Sequence, residues 1–200
     1  MAQAWLPGAS RLPSPADSGP MLGGAPRVVW FIWPNDPQVV SAKSVAQRLI
    51  QLQRPSHLVW NPVTGEIVQV LPPMRAACGL TGDRGANGRV CVQIQVIGSA
   101  REPFTDTKLD GLDEILAWLD SWGVARLWPA GPPLPYPHSI VADRSARLWA
   151  RGGHFGHSQV PGAREGDPGS IDITRIVGED ALGLEVPRPR EDHRRLERVM

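Results

Sequence analysis

His157 and Asp167 stand ten residues apart in GHSQVPGAREGDPG, a stretch punctuated by glycine and proline. Imidazole and carboxylate are both zinc ligands, and three protein ligands with an open fourth position make the catalytic form of a zinc site. A loop with one His and one Asp supplies two of the three. The same residue types are also ordinary loop chemistry, so the pair alone is a weak metal signal. His154, three residues before His157, is an alternative ligand that otherwise reads as a supporting or exposed residue. His138 follows a Pro-rich loop and has no nameable partner, and His193 sits in a charged tail. Cys78 and Cys91 form no CxxC pair, so two reduced thiols are expected rather than a disulfide framework.

The elements that must position this loop are legible from apolar spacing. Arg27 to Trp33 (RVVWFIW) is a short apolar run stopped by Pro34, which reads as a buried strand. Ser41 is a natural N-cap for a helix in which Ala42, Val45, Ala46, Leu49 and Leu52 share one face. Residues 56–71 read as two strands hinged at Asn61–Gly65, where Gly65 supplies the positive φ of a tight turn. Residues 79–89 read as a flexible loop. Residues 90–97 (VCVQIQVI) read as a central strand with Gln93 and Gln95 on one face. A helix is expected over Thr107 to Trp122, closed by Gly123, and a short one over Ser170 to Ile176. Strands alternating with helices predict an α/β fold, a mixed central β-sheet flanked by helices.

The 200 residues suit one ordinary domain between two irregular ends. Residues 1–26, rich in Pro, Gly, Ala and Ser, read as a disordered arm; 27–178 form the domain; 179–200 are a charged tail. The net charge of +1 gives no electrostatic reason to expect nucleic acid, and acidic residues nearly balance the tail's arginines. No stretch is long and apolar enough for a membrane span. The N-terminus lacks the charged-then-apolar pattern of a secretory signal, so the chain is expected to be made in the cytoplasm. Eight Trp against one Tyr point first to core packing, and second to flat apolar walls of a carbohydrate or peptide groove.

Three blocks in order resemble the type 2 N-acetylmuramoyl-L-alanine amidases, the group that includes amidase-type phage lysozymes and is similar to the peptidoglycan recognition proteins. GHSQVPGAREGDPG resembles the family's closing signature, SHLVWNPVTGEIVQVLPPMRAACG its second block, and VCVQIQVIG the strand that usually reads like "sIgIElvG". The resemblance spans roughly residues 27–175 and implies zinc roles for His157 and Asp167. It also exposes departures. The family's first ligand is a His at the end of the first strand, where this chain has Phe31, or Trp30 or Ile32 if the register shifts by one, none of which can bind zinc. The water-activating Glu is replaced by Gln95, which cannot take a proton at neutral pH. The Lys or Thr that steadies the oxyanion is replaced by Glu165, of the wrong sign. Ser56 stands where the family has an aromatic residue lining the site. Strand alternation sends Ser56 and His57 to opposite faces, so His57 reads as a packed core residue, and as third ligand only if the pleat reverses.

The resemblance implies an amidase and peptidoglycan-recognition-like fold and a peptidoglycan or muropeptide partner. The family reaction is zinc-dependent hydrolysis of the muramoyl–L-alanine amide bond, acting at the cell wall once the chain is exported or released. The substitutions set a non-catalytic peptidoglycan-binding relative beside that reading.

Overall fold

A computed structural model describes residues 2–80, 82–141 and 144–179. Six strands make one sheet: β1 (Ser10–Arg11), β2 (Arg27–Pro34), β3 (Leu58–Trp60), β4 (Ile67–Gln69), β5 (Cys91–Gly98) and β6 (Gly153–Gly156). Their order is β1-β4-β3-β5-β2-β6. β2 runs parallel to both β5 and β6, and β3 parallel to β5, while β3 and β4 form an antiparallel hairpin. The sheet is therefore mixed, as the apolar spacing predicts. β5 has neighbours on both sides, which is why its sequence is almost continuously apolar.

Helices cover both faces. Helix α1 (Ala42–Gln51) starts where Ser41 accepts from the Ser44 amide, and Glu66 of the hairpin accepts from the amides of Ala42 and Lys43. A carboxylate on free N–H groups at a helix start is favourable both as a hydrogen bond and against the helix dipole. The helix buries Ala42, Val45, Ala46 and Leu49 against Val59, Val68, Val70 and Ile97. Helix α2 (Leu112–Ser121) packs Leu112, Ile115, Leu116 and Leu119 against Val28, Trp30, Trp60 and Ile94 on the opposite face. It is shorter than its apolar stripe implies. Leu109 and Gly111 adopt positive φ, and Phe104–Asp106 forms a separate 3-10 turn, so regular helix begins at Leu112. Two short helices, α3 (Ala146–Ala150) and α4 (Thr174–Val177), complete the set among the described residues. Five of the eight tryptophans are buried, so core packing accounts for most of them.

Two expectations about loops are corrected. Residues 2–26 are not a free arm. Leu6 is buried, β1 adds to β4 as an edge strand, and backbone hydrogen bonds tie Leu12 to Gln69, Ser14 to Val70 and Leu22 to Ala86. Buried Gln69 accepts from the Leu6 amide and donates to the Ala4 carbonyl. The segment lacks a period because its partners lie elsewhere in the domain. The 79–89 loop is likewise tied down: Gln93 accepts from the Gly79 amide, Arg84 donates to the Pro161 carbonyl, and Gly82–Arg84 forms a 3-10 turn. The charged tail from residue 180, His193 included, lies outside the described residues.

Candidate functional site

The parallel register sets Phe31 directly beside Gln95, with Val59 on the other side of Gln95. Paired residues share a face of the sheet. This face, near the C-terminal ends of β2 and β5, receives the loop that follows β6. Gly156 opens that loop because a Cβ there would sit 2.6 Å from Pro168 Cδ. His157–Gln159 then makes one 3-10 turn, and the Ser158 amide donates to the Asp167 carbonyl, closing the loop on itself.

The closure brings His157 and Asp167 together, with Nδ1 and Oδ1 2.8 Å apart. The second Asp167 oxygen accepts from the Ile32 amide at 2.9 Å. An ionised carboxylate only accepts, so Nδ1 donates its proton to Asp167. The Phe31 ring lies on the imidazole with centroids 4.2 Å apart. Glu165 Oε2 is 3.5 Å from His157 Nε2. Burial works to raise the Glu165 carboxyl, but the Arg164 amide, His157 and Arg54 outweigh it and hold it below its usual range. These groups line a cavity of about 210 Å³ with Gln95, Arg54, Trp33, Leu49 and Leu52. A larger cavity of about 560 Å³ shares Pro34 with it and runs past Asp36, Glu102 and Phe104. Both lie at the C-terminal ends of β2 and β5, where open α/β sheets hold ligands.

The remaining expected residues lie elsewhere. His57 shares the face of Val59 but sits level with Gln93. Its Nδ1 accepts from the Gln93 amide at 3.0 Å and its Nε2 lies 2.8 Å from the Arg75 carbonyl. Burial pushes its pKa down to about 4. The alternation is the reverse of the expected one, with His57 on the site's face and Ser56 off it, but His57 stops two residues short of the site and both its nitrogens are committed to the backbone. His154 pairs in register with Val28, on the opposite face from His157, where Trp30 Nε1 donates to its Nδ1. It is neither exposed nor beside the site, and burial pushes its pKa to about 3. Ser56, expected as lining, is wholly buried and does not reach the cavity, because it is an odd number of positions from Val59 and faces the other way.

Sequence reasoning missed four of the contributors. The Ile32 amide that fixes Asp167 is main chain and carries no side-chain signal. Leu49 and Leu52 belong to a helix stripe that reads as core, and Arg54 lies past the helix end with no pattern to mark it. Among the described residues, no group of three His, Cys, Asp or Glu side chains is placed to hold a metal ion.

No family model and no curated protein matches the sequence. Solved structures do resemble the fold. The hydrolase AmiA from Staphylococcus aureus, in complex with its ligand, superposes with a TM-score of 0.51 at 11% identity, covering 89% of this chain and 85% of that one. A selenomethionine AmpD derivative gives 0.46 at 17% identity, over 86% and 94% of the two chains. The endolysin N-acetylmuramoyl-L-alanine amidase LysCS from Clostridium intestinale gives 0.42 at 12%, over 60% and 76%. The chain shares the fold of the AmiA hydrolase: an α/β domain with a mixed six-stranded sheet and flanking helices.

Proposed function

We propose that this domain binds peptidoglycan fragments in the groove over the strand ends and does not cleave them. The observation that carries the reading is the state of the His157–Asp167 pair. Nδ1 and both carboxylate oxygens are engaged in protein hydrogen bonds, and Phe31, which has no donor atom, packs against the ring. A catalytic zinc needs three ligands converging on one point. The described residues do not fit that requirement, since His57 is committed to backbone groups and His154 faces the other side of the sheet. Zinc is held weakly or not at all, and Gln95 cannot serve as the base that an amidase requires.

What supports peptidoglycan as the ligand class is the fold together with the three sequence blocks. The groove's size agrees, because the two cavities together reach the scale of a small-ligand site. No helix among the described residues is long and apolar enough to cross a membrane, and the proposed place of action is the cell wall, reached by export or release.

The test titrates the full chain with a soluble muropeptide in a calorimeter and, separately, incubates it with purified sacculi and zinc. Binding without release of new L-alanine amino ends is expected. Vigorous cleavage abolished by His157→Ala would replace this reading with an active amidase of unorthodox site.

A further inference from the structure

Most of the eight tryptophans have a settled place in the fold. Trp30, Trp60, Trp118, Trp128 and Trp149 are buried, Trp122 donates to the Gln3 carbonyl, and Arg11 lies over the ring of Trp5. Trp33 has neither full burial nor a polar partner. It is half-buried, its indole N–H meets no acceptor among the described residues, and no ring or guanidinium stacks on it there. Trp33 pairs in register with Ile97 and so shares the face of Phe31, two positions further along β2. It packs against the cluster that holds Leu49, and it lines the smaller cavity. Helix α1 brings a second apolar surplus to the same place. Leu52 continues the stripe of Val45 and Leu49 past the last turn, yet it is 43% exposed and borders the cavity. Apolar surface left uncovered in a concavity is surface that a ligand can bury.

We propose that Trp33 is a saccharide platform, stacking on the C–H face of a pyranose ring held in the smaller cavity. An indole offers a flat apolar face and one N–H donor. A pyranose offers a face of C–H groups and a rim of hydroxyls, each both donor and acceptor. Trp33 and Leu52 suit the face. Gln95, whose carboxamide also donates and accepts, lines the same space and suits the rim. The charged groups at the cavity and the small pocket beside it are of both signs, Arg54 and Arg84 with Glu165 and Asp167. The space therefore favours a neutral, hydroxyl-rich group over a ligand ion of either sign. At about 210 Å³ it falls below the roughly 300–1,000 Å³ of a site for a whole drug-sized ligand. It admits one ring-sized unit and leaves the attached peptide to the larger cavity, with which it shares Pro34. That the sugar is the muramoyl ring carrying L-alanine rests on the peptidoglycan reading.

The experiment titrates the full chain in a calorimeter with an N-acetylmuramoyl tripeptide and with the same tripeptide N-acetylated, which keeps the amide and lacks the ring. The muropeptide is expected to bind at least roughly 10-fold more tightly, the order of one ring face moved from water onto an apolar wall. Trp33→Leu, which keeps an apolar side chain against the core but loses the flat face and the N–H, should cancel that preference. Trp33→Phe, which keeps a flat face, should retain most of it. Leu52→Ser, at an exposed position where folding is not at stake, should narrow it. Equal binding of the two ligands by the unmodified chain overturns the platform and leaves the peptidoglycan reading standing. A preference undiminished in both Trp33→Leu and Leu52→Ser places the ring elsewhere and overturns the platform as well. Binding of neither ligand overturns both readings.

Discussion

Phe31 decides the chemistry of this site more than any other residue. Its ring lies on His157 and beside Gln95, and under the proposed function it fills the place of a third ligand to the His157–Asp167 pair. Phe31→His therefore supplies a nitrogen where carbon now stands. The variant is expected to retain about one zinc per chain after dialysis against a weak chelator, and the unmodified chain well under that, as elemental analysis would read. Retention of a full zinc by the unmodified chain would show that the pair already has a third partner. Gln95→Glu alone should do little, since a base without a metal-bound water has nothing to activate. Added to Phe31→His it should raise sacculus cleavage by roughly 10²–10⁴-fold, the usual worth of a positioned base.

At the scale of elements, the loop after β6 works because both ends are pinned, by Gly156 against Pro168 and by the Ser158 amide on the Asp167 carbonyl. The N-terminal segment is held in a different way. One buried side chain, Gln69, accepts from Leu6 and donates to Ala4 and Leu71. Trp118 and Trp122 both donate to the Gln3 carbonyl. Gln69→Leu leaves the Leu6 amide and two carbonyls without partners, at a cost of about 1–3 kcal/mol for each group that stays buried. Because the segment is an edge, it should open locally rather than unfold the sheet. Hydrogen exchange is expected to quicken at residues 4–14 while β5 keeps its protection. Equal loss of protection in β5 would mean that the edge strand is integral to the core.

The whole molecule carries two buried imidazoles, His57 and His154, with pKa values pushed down by burial to about 4 and about 3. The sign follows from proton binding. Below the ordinary His pKa of 6.5 the unfolded chain takes up protons that the folded chain refuses, so acid favours unfolding. Their neutral packing contributes its full stability above about pH 6.5, and that stability is lost as pH falls toward about 4 for His57 and about 3 for His154. Each group should add a slope of about 1.4 kcal/mol per pH unit in that window, which lies mostly above carboxylate titration. Denaturant unfolding at pH 7 and pH 5 measures it, and His57→Gln should remove about half of the slope. A flat profile between those pH values would show that the imidazoles are hydrated in the fold.

Apolar spacing alone determined the strand at Arg27, the helix after Ser41, the hairpin about Gly65 and the central strand carrying Gln93 and Gln95, because burial imposes a period on each element. The resemblance of the closing loop named His157 and Asp167, and the departures at Phe31, Gln95 and Glu165 were visible as residue types. Tertiary structure decided what period cannot encode. Whether His57 and His154 reach the site depends on register and on which backbone groups meet their nitrogens, and these partners are distant in sequence. The N-terminal segment reads as disorder because an edge strand that borrows its hydrogen bonds from β4 needs no apolar period of its own. The grip of the Ile32 amide on Asp167 leaves no trace in the sequence, since every residue but proline offers the same N–H, and only the fold determines which one points at a carboxylate.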